Sequence, residues 1–333
     1  MNKMNRKYKV AVVGATGMVG LTFIKVLEER KFPVSEIVFF ASKRSAGSKV
    51  FFNSLEYVVE ELTENSFDQG FDFALFSAGG DTSLKFAPIA ASKGVVVIDN
   101  SSAWRMKDHI KLVVPEVNAN FLTNKDLIIA NPNCSTIQSV VPLHVIHELF
   151  TLKRVIYSTY QAVSGSGYKG VMDLKNGYEN KAPEFYKKQI FDNCFPHIDD
   201  FLDNGYTKEE KKMMDETRKI LGIPNLLVSA TCVRIPVTVG HSVSMNVECE
   251  KSIDMNLLIQ AFQANKDIVY YEGNNYPTPK DVDGNDLVHV GRLRKDLSTE
   301  NGIHLWAVAD NVRKGAATNA IQIAEYLIKE NLV

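Results

Sequence analysis

Cys134 has the residue type and the setting for covalent chemistry. It lies in Ala130-Asn131-Pro132-Asn133-Cys134-Ser135-Thr136. The apolar run 126–130 reads as a strand, and it stops at Asn131-Pro132 because proline disfavours helix in the residue before it. Residues 135–141 read as a new helix that starts at or just after Cys134. A thiol placed there meets the positive end of a helix and backbone N–H groups without intrahelical partners. Both favour the thiolate, which is the nucleophile. The competing reading is a small buried apolar residue, the usual state of a free cysteine. Local sequence leaves both open.

A reacting thiol needs a proton-handling partner, and the chain has 7 histidines. His109, His197, His289 and His304 have no motif around them. His144 and His147, followed by Glu148, are spaced for a metal on a helix. No third ligand accompanies them, so no metal is expected. His241 stands in Arg234-Ile235-Pro236-Val237-Thr238-Val239-Gly240-His241-Ser242, after a glycine and at the start of a strand. Arg234 is a cation inside an apolar strand and needs a partner. A substrate carboxylate held by the guanidinium fork would serve. Purely structural roles stay open for both at this point.

The elements that must position these groups alternate between strand and helix. Residues 8–13 form a short apolar run that suits a buried parallel strand. Gly14-Ala15-Thr16-Gly17-Met18-Val19-Gly20 follows, then apolar residues at helical spacing. Strand, glycine turn and helix make the context of a dinucleotide site. The spacing is G-x-x-G-x-x-G rather than G-x-G-x-x-G, but small residues still let a pyrophosphate approach a helix N-terminus. The next strand, 36–41, ends at Ser42-Lys43-Arg44-Ser45. An NAD site usually has an acid near this point for the ribose 2′-OH. Two bases and two hydroxyls suit a 2′-phosphate instead, which favours NADP, with Arg44 engaging it. Further strands at 71–76 and 95–99 predict a doubly wound, Rossmann-like parallel sheet, in which ligands gather at the carboxyl ends of strands. Cys134 falls on that rim.

Beyond Cys134 the pattern changes. β-like runs at 154–163, 226–234, 243–248, 268–271 and 304–309 predict a second, mostly antiparallel α+β domain. Residues 170–222 are polar and helix-prone, and Lys208-Glu209-Glu210-Lys211-Lys212 reads as a solvated helix face. Residues 316–328 form a closing amphipathic helix.

Composition narrows the function classes. The chain has 333 residues, 45% of them hydrophobic, and a formal net charge of −1, so no global field draws it to nucleic acid or membrane. The basic N-terminal residues lead into an apolar run too short for a secretory leader, and nothing approaches the roughly 20 apolar residues of a membrane span. The cysteines, Cys134, Cys194, Cys232 and Cys249, are scattered and lack a C-x-x-C pair. A reducing cytoplasm is therefore expected.

Taken together, Gly14 to Gly20, Asn131 to Thr136, Gln161-Ala162-Val163-Ser164-Gly165-Ser166-Gly167, Glu216-Thr217-Arg218-Lys219-Ile220, Arg234 to His241 and Asp310-Asn311-Val312-Arg313-Lys314-Gly315-Ala316-Ala317 resemble the aspartate-β-semialdehyde dehydrogenase family, in the family's order and over nearly the whole chain. The resemblance implies NADPH-dependent reduction of L-β-aspartyl phosphate to L-aspartate 4-semialdehyde with release of phosphate, a step towards lysine, threonine and methionine. It implies that Cys134 forms an acyl-thioester, that His241 is the acid/base and that Gln161 orients the intermediate. Arg234 and Glu216 would bind the substrate's α-carboxylate and α-ammonium, and Arg105, Asn133 and Lys219 its phosphate. Thr16, Gly17, Met18, Val19, Arg44, Ser45, Ser164, Gly165 and Asn311 would line the NADP site. The expected domains are 1–133, completed by a C-terminal helix over 311–333, and a catalytic and dimerisation domain over 134–310 in a homodimer. Three rival readings are N-acetyl-γ-glutamyl-phosphate reductase, a Cys-His acyl hydrolase, and an NADP-binding regulator with an inert thiol. The first has no need of an acid for a free ammonium, and the second none of the glycine turn and Arg44.

Overall fold

Seven short strands of the first unit pair edge to edge, all of them parallel. In the computed structural model, which describes residues 6–333, they are Tyr8–Val13 (β1), Val34–Ala41 (β2), Glu60–Glu61 (β5), Phe73–Phe76 (β6), Val96–Asp99 (β7), Lys111–Leu112 (β8) and Ile128–Ala130 (β9). Residues 1–5, most of the basic N-terminal stretch, lie outside the described residues. The sheet order is β5-β2-β1-β6-β7-β9-β8. A parallel sheet needs crossovers that cover its faces, so its strands are apolar on both sides. Val10, Val12, Phe39, Phe73, Leu75 and Ile98 are buried accordingly. The helices Met18–Glu29 (α1), Gly80–Ser92 (α2) and Pro115–Asn118 (α3) supply crossovers. The last helix, Thr318–Lys329 (α8), joins the same core through Ala320, Ile321, Ala324 and Leu327. The doubly wound sheet expected from the sequence is present. A small antiparallel hairpin, Lys49–Phe52 (β3) with Leu55–Val58 (β4), is an addition that the sequence reading did not contain. It turns at Asn53 and Ser54, both at positive φ, which suits a tight two-residue hairpin.

The compact units are residues 6–132 with Ala316–Val333, and Asn133–Gly315. The second unit holds a sheet in the order β11-β10-β12-β15-β14-β13. Its strands are Leu152–Gln161 (β10), Leu227–Arg234 (β11), His241–Cys249 (β12), Ile268–Tyr270 (β13), Val288–Lys295 (β14) and Gly302–Ala309 (β15). The three central pairings are antiparallel, and both outer pairings, β10 with β11 and β13 with β14, are parallel. The sheet is thus mixed, because the long 162–226 connection allows a crossover where a hairpin would force antiparallel pairing. Its helices are Cys134–Phe150 (α4), Gly167–Tyr178 (α5), Lys208–Leu221 (α6) and Met255–Ala264 (α7).

The helix-prone reading of 170–222 holds only at its ends. Between α5 and α6 the backbone forms neither helix nor named strand. Pro183 and Pro196 interrupt it, and the Asp173 carboxylate accepts the N–H groups of Glu184, Phe185 and Tyr186 in place of a helical ladder. The charge run at the start of α6 is also not a solvated face throughout. Glu209 and Glu210 are 5% and 7% exposed. Glu210 completes a capping box with Thr207 and accepts the Cys232 N–H.

Candidate active site

Asn133 starts the site. It has extended backbone and caps α4, its Oδ1 accepting the N–H groups of Ser135 (3.0 Å) and Thr136 (3.2 Å). Cys134 is therefore the first helical residue, half-buried and in no disulfide. Gly315 packs on it so closely that a Cβ there would lie 2.9 Å from the Cys134 Cβ. Two acids of α6 hold Asn133. Its backbone N–H donates to Glu216 Oε2 at 2.6 Å, and its Nδ2 donates to Glu209 Oε1 at 2.7 Å. An oxygen that meets only donors and a nitrogen that meets a carboxylate fix the amide's orientation.

Helix α6 presents Glu209, Lys212, Glu216 and Lys219 at spacings of three, four and three, so all four share one face. Tyr157 of β10 anchors the helix: its hydroxyl is 2.9 Å from that of Thr217, and burial pushes its pKa up. Gln161 ends β10 and is the register partner of Arg234 at the end of β11, so parallel pairing sets these side chains next to each other. Gln161 Nε2 donates to Thr159 Oγ1 and to Glu209 Oε1. Arg234 is 4% exposed, and its Nη1 donates to the Ala162 carbonyl at 2.7 Å. It has no carboxylate partner among the described residues, so a buried cation awaits an anion.

His241 is the first residue of β12 and is fully buried. The Ala162 N–H donates to its Nδ1 at 3.0 Å. A backbone N–H can only donate, so Nδ1 carries the lone pair and the ring proton sits on Nε2. That Nε2 has no protein partner. Burial first, then the nearby Arg234 charge, hold the imidazole pKa well below its ordinary value. A Cβ on Gly165 would meet Arg234 Nη1 at 2.7 Å and His241 Nε2 at 3.1 Å, so only glycine leaves both groups open. Asn311 ties the surrounding loops: its Oδ1 accepts the Gly240 N–H, and its Nδ2 donates to Ser164 Oγ, both at 2.9 Å.

The first unit holds the other predicted residues. Gly14 has φ +85°, and a Cβ would come 2.3 Å from the Ser77 carbonyl oxygen. A Cβ on Gly20 would come 2.2 Å from the Gly14 oxygen. Gly17 caps α1 with no side chain, leaving the first N–H groups for a ligand, beside Thr16, Met18 and Val19. These cradles fit a pyrophosphate. Arg44 is exposed and has no ion-pair partner among the described residues, and the Ser45 N–H closes a turn onto Ser42. Arg105 is 7% exposed, not a surface charge. Its Nε and Nη2 donate to the carbonyls of Asn131 and Asn100 at the strand ends.

His147 Nδ1 accepts the Leu152 N–H at the end of α4, a structural contact. Among the described residues no group of three or more His, Cys, Asp or Glu side chains could hold a metal, and no helix is long and apolar enough to cross a membrane.

Comparison with known proteins decides the family. Residues 9–125 match the model of the semialdehyde dehydrogenase NAD binding domain, and residues 142–314 that of the semialdehyde dehydrogenase dimerisation domain. The aspartate-semialdehyde dehydrogenase of Aquifex aeolicus is 54% identical over 98% of this chain and 99% of its own. The chain belongs to the aspartate-semialdehyde dehydrogenase family. The Bacillus subtilis aspartate-semialdehyde dehydrogenase is 47% identical over 99% of this chain and all of its own. The crystal structure of aspartate semialdehyde dehydrogenase II from Vibrio cholerae, complexed with ASA, superposes with a TM-score of 0.94 at 46% identity, covering 98% of this chain and 99% of that one.

Glu209 is the residue of this site that the sequence reading placed wrongly. A signal existed: it precedes Glu216 by seven residues, two helical turns, and so shares its face. The run of charges around it concealed that relation.

Proposed function

We propose that the chain reduces L-β-aspartyl phosphate to L-aspartate 4-semialdehyde with release of phosphate, through an acyl-thioester on Cys134, using NADPH. The observation that carries this reading is one constellation within the second unit. A thiol starts a helix, a buried imidazole keeps an unpartnered Nε2–H, and a buried guanidinium lacks a carboxylate. An acyl-transfer nucleophile, a donor for a developing oxyanion and a carboxylate clamp are what this substrate requires. The relatives' names support the same substrate.

The thiolate of Cys134 attacks the acyl carbon, and the C–O bond to phosphate breaks. Arg105, Asn133 and Lys219 meet the phosphate's charge, and the proton that the reaction consumes ends on it. Bound NADPH supplies the hydride. His241 Nε2–H donates to the oxyanion of the resulting thiohemiacetal. The C–S bond then breaks, which frees the aldehyde and returns the thiolate. Arg234 holds the α-carboxylate, Glu216 the α-ammonium, and Gln161 orients the bound acyl group. Thr16, Gly17, Met18 and Val19 receive the pyrophosphate, Arg44 and Ser45 the 2′-phosphate, and Ser164, Gly165 and Asn311 the rest of the cofactor. The reading includes a homodimer built on the second unit, a place in lysine, threonine and methionine biosynthesis, and a cytoplasmic setting.

One spectrophotometric assay tests it. Aspartate semialdehyde should reduce NADP only when phosphate is present, and far faster than NAD. N-acetylglutamate semialdehyde should be inert, because Glu216 and the other α6 acids suit a free ammonium. Turnover of the acetylated compound in preference to the free amine would replace this reading with its nearest rival.

A further inference from the structure

We propose that Glu209 is a positioning residue, the acceptor that fixes the carboxamides of Asn133 and Gln161 in the one orientation that the reaction uses. The inference rests on the function proposed above, which gives those two amides their roles. The Glu209 carboxylate is 5% exposed and accepts three donors. Its Oε1 takes Asn133 Nδ2 at 2.7 Å and Gln161 Nε2 at 3.3 Å, while its Oε2 takes Lys212 Nζ at 3.2 Å.

A single oxygen therefore reads both amides at once. A carboxamide can flip, exchanging a donor for an acceptor at each end, at no steric cost. Near Glu209 a flip would set an amide oxygen against a carboxylate oxygen and is excluded. For Asn133 the consequence is that Oδ1 stays on the N–H groups of Ser135 and Thr136, which keeps Cys134 at the first position of α4. For Gln161 both N–H groups are used, on Glu209 and Thr159. Its oxygen is the end that faces no protein donor among the described residues. Gln161 thus offers an acceptor to the substrate.

Lys212 sets the charge balance. It also pairs with Asp199 at 2.6 Å, so it keeps a partner if Glu209 loses its charge. Glu209→Gln can leave its oxygen on the two amides and turn its NH2 towards Lys212. Glu209→Asp keeps the charge but withdraws the oxygen by one methylene. The two variants separate acceptor reach from charge.

The test compares these variants in the full-length protein. Readouts are kcat and KM for aspartate semialdehyde and NADP, the melting temperature, and the side-chain amide cross-peaks of Asn133 and Gln161, assigned by their loss in Asn133→Ala and Gln161→Ala. Glu209→Asp should lower kcat roughly 10-fold or more, with KM for NADP within about 2-fold, because misplacement near one ångström costs that much. Its two amide cross-peaks should shift together. Glu209→Gln should keep kcat within about 5-fold of the parent and hold both cross-peaks near their parent positions. The reverse order, equal losses, or parental kinetics in both variants overturns the proposal. A parent protein inactive towards aspartate semialdehyde would refute the reaction and leave the cross-peaks to judge the clamp.

Discussion

The backbone N–H of Ala162 donates to Nδ1 of His241 across 3.0 Å, and this one bond decides what the imidazole can do. In the proposed reaction the ring would act as a neutral Nε2–H donor. Accepting a proton would place it on Nδ1 and break the bond to Ala162. Nitrogen chemical shifts of the protein labelled in histidine should show His241 as the Nε2–H tautomer, without titration between pH ~5.5 and ~8, where ordinary histidines change charge.

The same depressed pKa links to stability. An imidazole that stays neutral when folded is protonated in the unfolded chain below pH ~6.5, so the unfolded state binds more protons there. Its contribution to stability is full above that pH and is lost as the pH falls towards the folded value. His241→Asn, which keeps an acceptor for Ala162, should remove this loss. Urea unfolding from pH ~7 to ~5 should therefore show the parent losing more stability than the variant.

Removal of the proposed nucleophile should separate binding from chemistry. Cys134→Ala should reduce phosphate-dependent NADP reduction by roughly a thousand-fold or more while NADP still binds, measured by quenching of protein fluorescence. Activity that survives the change would remove the covalent route.

Gly165→Ala should strike the substrate site without unfolding the chain. The new methyl group would press on Arg234 Nη1, the far end of a flexible side chain, and on His241 Nε2. KM for aspartate semialdehyde should rise roughly 10-fold or more as the guanidinium is displaced. Thermal unfolding should show a loss of no more than about 1 kcal/mol.

Arg44→Ala should raise KM for NADP roughly 10-fold or more and leave the slow reaction with NAD unchanged, because only the 2′-phosphate would lose a partner. Initial rates with both nucleotides measure this.

Much of this molecule could be read from the sequence because the signals were local. Gly14 sits where φ is +85° and a Cβ would strike Ser77, so the turn permits little else. The proline after Asn131 and the run 135–141 mark a helix that starts at or just after Cys134, and the structure adds Asn133 as its cap. What was missed had local as well as distant causes. Strand β14 escaped because Gly291 and Arg292, at φ +55°, break its alternation at a register shift. Helix α7 carries a local signal, an Asp254 cap before an apolar run, that the sequence analysis does not include. The buried acid of α6 looked like one more surface charge among lysines. Its inward direction follows from Asn133 and Gln161, residues 76 and 48 positions away.

The C-terminal helix α8 supplies Ala320, Ile321, Ala324 and Leu327 to the core of the unit that the chain begins. During synthesis that sheet precedes the second unit with one apolar flank covered only in part, by α1, and α8 follows that unit. At the usual pace of synthesis the entire second unit must be translated in between, an interval on the order of ten seconds or more. The nascent chain is therefore exposed to chaperones and to self-association for that interval, and a premature stop near the end would leave it so permanently.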